Sequence, residues 1–147
     1  GRLFRRSTVV VCNREEAALL TGEPPGSDPV VLLDRMLALG PEQVVITDGS
    51  SGAYGSDGTV YLVVPVFPDD GPVVDRTGAG DAFAATLVAG LASGLPLDRA
   101  MARAPVNSMR VVQHVGSQAG LLDDGTLEAL LSAAPGGYGV RRLVPVA

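Results

Sequence analysis

The chain has 147 residues, a net charge of −5, and a composition that is 46% apolar and 18% charged. That length suits one domain with a real core, and the composition excludes an intrinsically disordered chain. A single Cys and a single His exclude a disulfide framework and a Cys/His metal site, and no broad basic stripe offers a surface for nucleic acid.

Gly1 to Arg6 carries three Arg, but no signal-peptide apolar segment follows, and the longest apolar runs are far shorter than a membrane span. No membrane partner is expected and the chain reads as cytoplasmic. Thr8 to Cys12 is a β-branched run that predicts a buried strand, with Cys12 as a small hydrophobe in preference to a reactive thiol. Asn13 suits a helix N-cap, Glu15 and Glu16 suit the first turn, and Gly22 suits the stop. Residues 23–29 are a loop by composition, and Val30 to Leu39 repeats apolar residues at helical spacing before Gly40. Gln43 to Thr47 predicts a second buried strand, and Ala53 to Val64 a hairpin around Asp57-Gly58. After an irregular segment, Pro65 to Pro72, a helix is expected from Asp81 to about Ser93, rich in small residues that permit close packing. Pro96 starts another helix, in which Pro105 predicts a kink or break near Ala104. Asp123 or Asp124 caps a last helix through Leu131, and the tail from Pro135 is weakly specified. This order of strands and helices is that of an α/β protein.

Chemistry concentrates in Asp75-Arg76-Thr77-Gly78-Ala79-Gly80-Asp81-Ala82-Phe83. Gly78 and Gly80 remove bulk, so backbone N–H groups at the start of a helix can approach a polyanion. A carboxylate beside such a cradle repels what the cradle attracts, and the simplest reason for Asp81 is that it takes a proton from an attacking hydroxyl. The segment lacks the Gly-Lys-Ser/Thr ending of a P-loop and the Gly-x-Gly-x-x-Gly spacing of a dinucleotide site. A tight turn with a helix cap is the competing reading. Two further segments weigh against it, because Asn13-Arg14-Glu15-Glu16 and Thr47-Asp48-Gly49-Ser50-Ser51-Gly52 each follow a predicted buried strand. Open α/β sheets bind ligands at the carboxyl ends of their strands.

These three ordered motifs resemble the carboxyl-terminal half of the ribokinase-like (PfkB-type) carbohydrate and nucleoside kinases, up to about Ser132. The resemblance implies a layered ribokinase-like fold, a mixed, mostly parallel sheet with helices on both faces, its amino-terminal half and lid absent. Residues 1–134 would be the nucleotide-binding, catalytic part and residues 135–147 a tail. The implied reaction is transfer of the γ-phosphoryl group of ATP to a hydroxyl of a sugar or nucleoside. Asp81 would be the base, and the N–H groups of Gly78, Ala79, Gly80 and Asp81 the anion hole. Asn13 and Glu16 would organise phosphate and Mg²⁺, Glu16 through water. Thr47, Gly49, Ser50 and Gly52 would line the ATP, with Asn107 a further candidate for the nucleotide pocket. A monovalent cation, K⁺ in the first instance, would lie against Asp75 and carbonyls of Thr77, Val111, His114 and Gly116, where an ordinary helix end is the competing reading. The family commonly has Thr where this chain has Arg76. Without the substrate half, the chain is expected to self-associate or to depend on the missing part. A nucleotide-binding remnant without turnover stays open as the alternative.

Overall fold

The computed structural model describes residues 2–69, 71–116 and 118–144. They form two compact units, Gly1–Val63 with Arg141–Ala147, and Val64–Val140.

The first unit holds β1 (Val9–Asn13), α1 (Arg14–Thr21), α2 (Pro29–Ala38), β2 (Gln43–Thr47) and β3 (Ala53–Ser56). It also holds β4 (Tyr61–Val64) up to Val63, and β5 (Arg141–Leu143). The five strands make one sheet in the order β1-β2-β3-β4-β5. β1 and β2 are parallel, in a register that sets Val9 against Gln43 and Asn13 against Thr47. A parallel pair needs a crossover, and α1 with α2 supplies it. β2 with β3 and β4 with β5 are antiparallel. The sheet is therefore mixed, as expected, but among the described ladders only β1–β2 is parallel. The links from β2 to β3 and from β3 to β4 are too short for crossovers and can only reverse the chain.

Alternation decides which side chains meet the helices. Leu32, Leu33 and Met36 of α2 are fully buried and cluster with Ala17 and Ala18 of α1 and Val44 and Ile46 of β2. Val10, Cys12, Tyr54 and Tyr61, partly buried, complete that side. Cys12 is free, and burial, with the Glu16 carboxylate adding to it, pushes its thiol up to about 11. It stays protonated at neutral pH, in line with a packing role. β5 comes from the weakly specified tail. Its short run of Arg141-Arg142-Leu143 carries little strand signal and is ordered by pairing with Tyr61–Val63.

The second unit holds α3 (Ala79–Ala92), α4 (Leu97–Val112) and α5 (Asp124–Ser132). The small residues of α3 do permit close packing, since a Cβ on Gly90 would meet the Ala100 Cβ of α4 at 3.3 Å. Phe67, Val106 and Leu127 form a core to which Tyr138 adds its ring. That ring stands edge-on to Phe67 with centroids 5.0 Å apart, and its hydroxyl donates to the Ala102 carbonyl at 2.8 Å. α5 is tied to α4 by Arg103, which donates to Asp124 and Glu128.

α4 runs unbroken from Leu97 to Val112 with Pro105 inside it, so of the kink or break expected near Ala104 no break is made. An interior Pro costs about 3 kcal/mol. Met101 and Val106, both fully buried, each return about 1.5–3 kcal/mol by burial, so packing holds the helix together. α3 starts two residues before Asp81, with Gly78 as its N-cap.

Leu33→Ala should lower the stability of this chain by about 2–5 kcal/mol, read from its urea midpoint. Leu19→Ala, at a side chain 83% exposed, should stay within about 0.5 kcal/mol. Equal effects would show that α2 does not close the core.

Candidate functional site

The expected residues divide between the units. Asn13, Glu16, Thr47, Gly49, Ser50 and Gly52 belong to the first, and Asp75 to Asp81, Asn107, Val111, His114 and Gly116 to the second.

In the first unit the parallel register brings the two strand ends side by side, with Asn13 opposite Thr47. Asn13 caps α1 in a reciprocal box. Its side-chain oxygen accepts from the Glu16 N–H at 2.8 Å, and its own N–H donates to Glu16 Oε2 at 2.9 Å. The spacing that resembles a phosphate and Mg²⁺ motif is thus also a capping box. The box orients both side chains, and both residues are exposed. The Thr47 hydroxyl reaches the Cys12 carbonyl at 3.5 Å, linking the same two strands.

Beyond Thr47 the chain turns tightly. The Asp48 N–H donates to the Gly52 carbonyl at 2.8 Å, and the Ser51 N–H to the Asp48 carbonyl at 2.9 Å. Gly52 has φ +91°, a conformation that L side chains rarely adopt, and it lets the turn pass directly into β3. Gly49 and Ser50 are exposed on this turn.

One ion pair here has no part in the motif resemblance. Arg14 Nη1 donates to Asp48 Oδ2 at 2.7 Å, and Arg14 Nη2 to the carbonyls of Gly26 at 3.1 Å and Ser27 at 2.9 Å. The signal was present, because each residue is the first after a strand and the two carry opposite charges. Only the register makes them neighbours.

In the second unit Gly78 has φ +83° and no side chain to cap α3. Gly80 and Asp81 in the first turn are exposed, and a Cβ on Gly80 would meet nothing within 4 Å. The Ala79 N–H is partly used, at 3.3 Å from the Arg76 carbonyl. Such a helix start presents N–H dipoles to an anion. The Asp81 carboxylate belongs to the third residue of the helix, beside those donors.

α4 holds this turn from behind. The Val112 carbonyl accepts from the N–H groups of Val74 at 2.8 Å and Asp75 at 3.1 Å, and the Ser108 hydroxyl donates to the Ala79 carbonyl at 3.0 Å. Nothing local marks a mid-helix Ser such as Ser108 as a tether. Asp75 folds back on its own segment, with Oδ1 accepting from the Thr77 N–H at 2.8 Å and Oδ2 from the Gly116 N–H at 3.4 Å. Asp75, Thr77 and Gly116 are thereby brought together. The Val111 carbonyl accepts from the His114 N–H at 3.1 Å, and His114 Nδ1–H donates to the Arg110 carbonyl at 2.9 Å, an ordinary helix-end arrangement. Asn107 is buried, its amide N–H donating to Thr86 at 2.9 Å and its oxygen accepting from Leu122 at 2.8 Å. Both ends of that side chain are committed to joining α4 to α3 and to the segment before α5. No cluster of three or more His, Cys, Asp or Glu able to hold a metal lies among the described residues.

Residues 2–124 match the model of the pfkB family carbohydrate kinases. The chain belongs to that family. This pfkB-family chain is 32% identical over 126 residues to the ribokinase of Bacillus subtilis, covering 86% of itself and 40% of that enzyme. It is 35% identical over 98 residues to the cytidine kinase of Thermococcus kodakarensis, covering 65% of itself and 34% of that enzyme. Among solved structures, the Arabidopsis thaliana ribokinase complexed with ribose and ATP superposes with a TM-score of 0.80 at 26% identity. That match covers 88% of the pfkB-family chain and 42% of the plant chain. The chain thus spans less than half the length of these relatives, and the described fold is the ribokinase-like one.

The Asp75 carboxyl is held below its ordinary range, first by the Thr77 N–H and then by the Thr77 hydroxyl. A carboxyl depressed in the folded state contributes stability that is fully present above its unfolded value, about 3.9, and is lost as pH falls through the folded value. The Thr77 amide resonance should therefore hold steady down to about pH 4 and shift only below it, and Asp75→Asn should abolish that step. A shift of the Thr77 amide centred above pH 4 would show that this bond does not form.

Proposed function

We propose that this chain is the nucleotide-binding and catalytic part of an ATP-dependent kinase that phosphorylates a hydroxyl of a sugar or a nucleoside. The observation that carries the reading is the uncapped start of α3, where Gly78 opens a helix whose first turn bears the exposed carboxylate of Asp81. In a pfkB-family chain, that combination suits a transferring phosphoryl group and an attacking hydroxyl. Relatives that act on ribose and on cytidine leave both acceptor classes within the proposal.

The N–H groups of Gly78, Ala79, Gly80 and Asp81 stabilise charge on the transferring group as it develops. Asp81 orients the acceptor hydroxyl and receives its proton. Phosphoryl transfer is loose and needs little early deprotonation, so the position of this carboxylate matters more than its basicity. The turn after β2, with Thr47, Gly49, Ser50 and Gly52, holds the phosphates of ATP. Asn13 and Glu16 would organise Mg²⁺, whose charge would offset that of the phosphates. The residues fit that ion through water, since the Asn13 box uses Glu16 Oε2 and leaves the second oxygen of an exposed carboxylate. Asp75, with Thr77 and Gly116 gathered at its carboxylate, is the proposed side-chain ligand of a monovalent cation.

One observation favours a second reading. The chain spans 40% of the length of the B. subtilis ribokinase, so it would bind nucleotide without turnover if the acceptor contacts lie in the remainder of such a kinase.

ADP formation by the purified chain against a panel of sugars and nucleosides separates the two. Turnover supports the first reading, and nucleotide binding without turnover supports the second. In a kinase carrying this segment, Asp81→Asn should lower kcat by about 10²–10⁴ with ATP affinity retained. Near-normal turnover in that variant would remove Asp81 from the mechanism.

A further inference from the structure

We propose that Arg14 is a positioning residue whose guanidinium neutralises Asp48, keeping the turn after β2 able to accept the phosphates of a nucleotide. The inference rests on the reading above, in which that turn lines ATP. Asp48 immediately precedes Gly49 and Ser50 and is locked in place by the bonds of its own N–H to Gly52 and of its carbonyl to Ser51. Its backbone is fixed there, so its carboxylate stays within a side chain's reach of Gly49 and Ser50. Unpaired, it would repel a polyanion at the site where one is to bind.

Arg14 lies 2.7 Å from that carboxylate, and the two side chains are only 29% and 21% exposed. Solvent and salt screen such a pair less than a surface pair. The second nitrogen of the fork is held by the carbonyls of Gly26 and Ser27. Arg14 is thus anchored on both sides, which makes it a fixed counter-charge and not a free phosphate ligand. A planar fork meets carboxylate and carbonyls at once, as a Lys point charge does not. The bland role for the same contacts is a clamp on the loop 23–28, which would affect every ligand alike. Charge compensation makes a different demand, for it acts on the phosphates and is unnecessary once Asp48 is neutral.

Titrations of MgATP and of adenosine into this chain and its Arg14→Ala, Asp48→Asn and doubly substituted forms decide between them. Arg14→Ala should weaken MgATP about tenfold, the size of a typical coupling between contacting residues. The double variant should recover most of that loss, Asp48→Asn alone should bind MgATP at least as well as the unsubstituted chain, and adenosine should bind all four equally. Unchanged MgATP affinity in Arg14→Ala, no recovery in the double variant, or a parallel loss of adenosine overturns the inference. If Arg14→Ala does not fold, Asp48→Asn decides, and weaker MgATP binding there overturns it. Failure of the unsubstituted chain to bind either ligand overturns the phosphotransfer reading, and this inference with it.

Discussion

Parallel pairing of β1 with β2, in the register that sets Asn13 against Thr47, is the constraint on which the first unit's chemistry depends. Both strands run the same way, so both end at the same level and release their polar residues side by side. That alignment sets the capping box of Asn13 and Glu16 beside the tight turn from Asp48 to Gly52, and it pairs Arg14 with Asp48. A slip of one residue would turn Val44 and Ile46 away from α2 and separate the two ends at once. The hydrophobic cluster beneath α1 and α2 therefore holds the site's geometry as well as the fold.

The second unit solves a related problem with helices. A helix start without a capping side chain must have its position secured from elsewhere. α4 does this through the Val112 carbonyl and the Ser108 hydroxyl, each bonded to backbone of the glycine-rich segment or the residues leading into it. These tethers fall four residues apart, on one face of α4, as the helical repeat requires. Continuity of α4 through Pro105 matters for that reason, since a break there would detach the tethers from the first two turns, where Leu97, Ala100, Met101 and Ala104 are buried.

In the proposed site, backbone N–H groups and short polar side chains take the part that Lys and Arg take in many phosphate sites. Fixed dipoles cost no reorganisation and carry no net charge. Carboxylates such as Asp81, Glu16 and Asp75 can then coexist with a polyanion in a chain whose net charge is −5. On the proposal above, Arg14 serves there by offsetting the charge of Asp48.

By itself the sequence determined the elements whose signals are local: β2 to the residue, the Asn13 cap of α1, the hairpin at Asp57-Gly58, and the glycine turn that opens α3. Its three motifs also carried the family, because three motifs in one order are specific where a single glycine turn is not. Tertiary structure alone decided what depends on partners distant in the chain. Arg14 meets Asp48 across 34 residues and Ser108 meets Ala79 across 29. Arg141-Arg142-Leu143 becomes a strand only because β4 offers an edge, and Pro105 stays helical only because Met101 and Val106 are buried. Asn107 has both ends of its amide taken by Thr86 and Leu122, which no local pattern foretells. Local propensity is set by a residue and its near neighbours. Register, burial and the pairing of charges are set by what the fold brings against them.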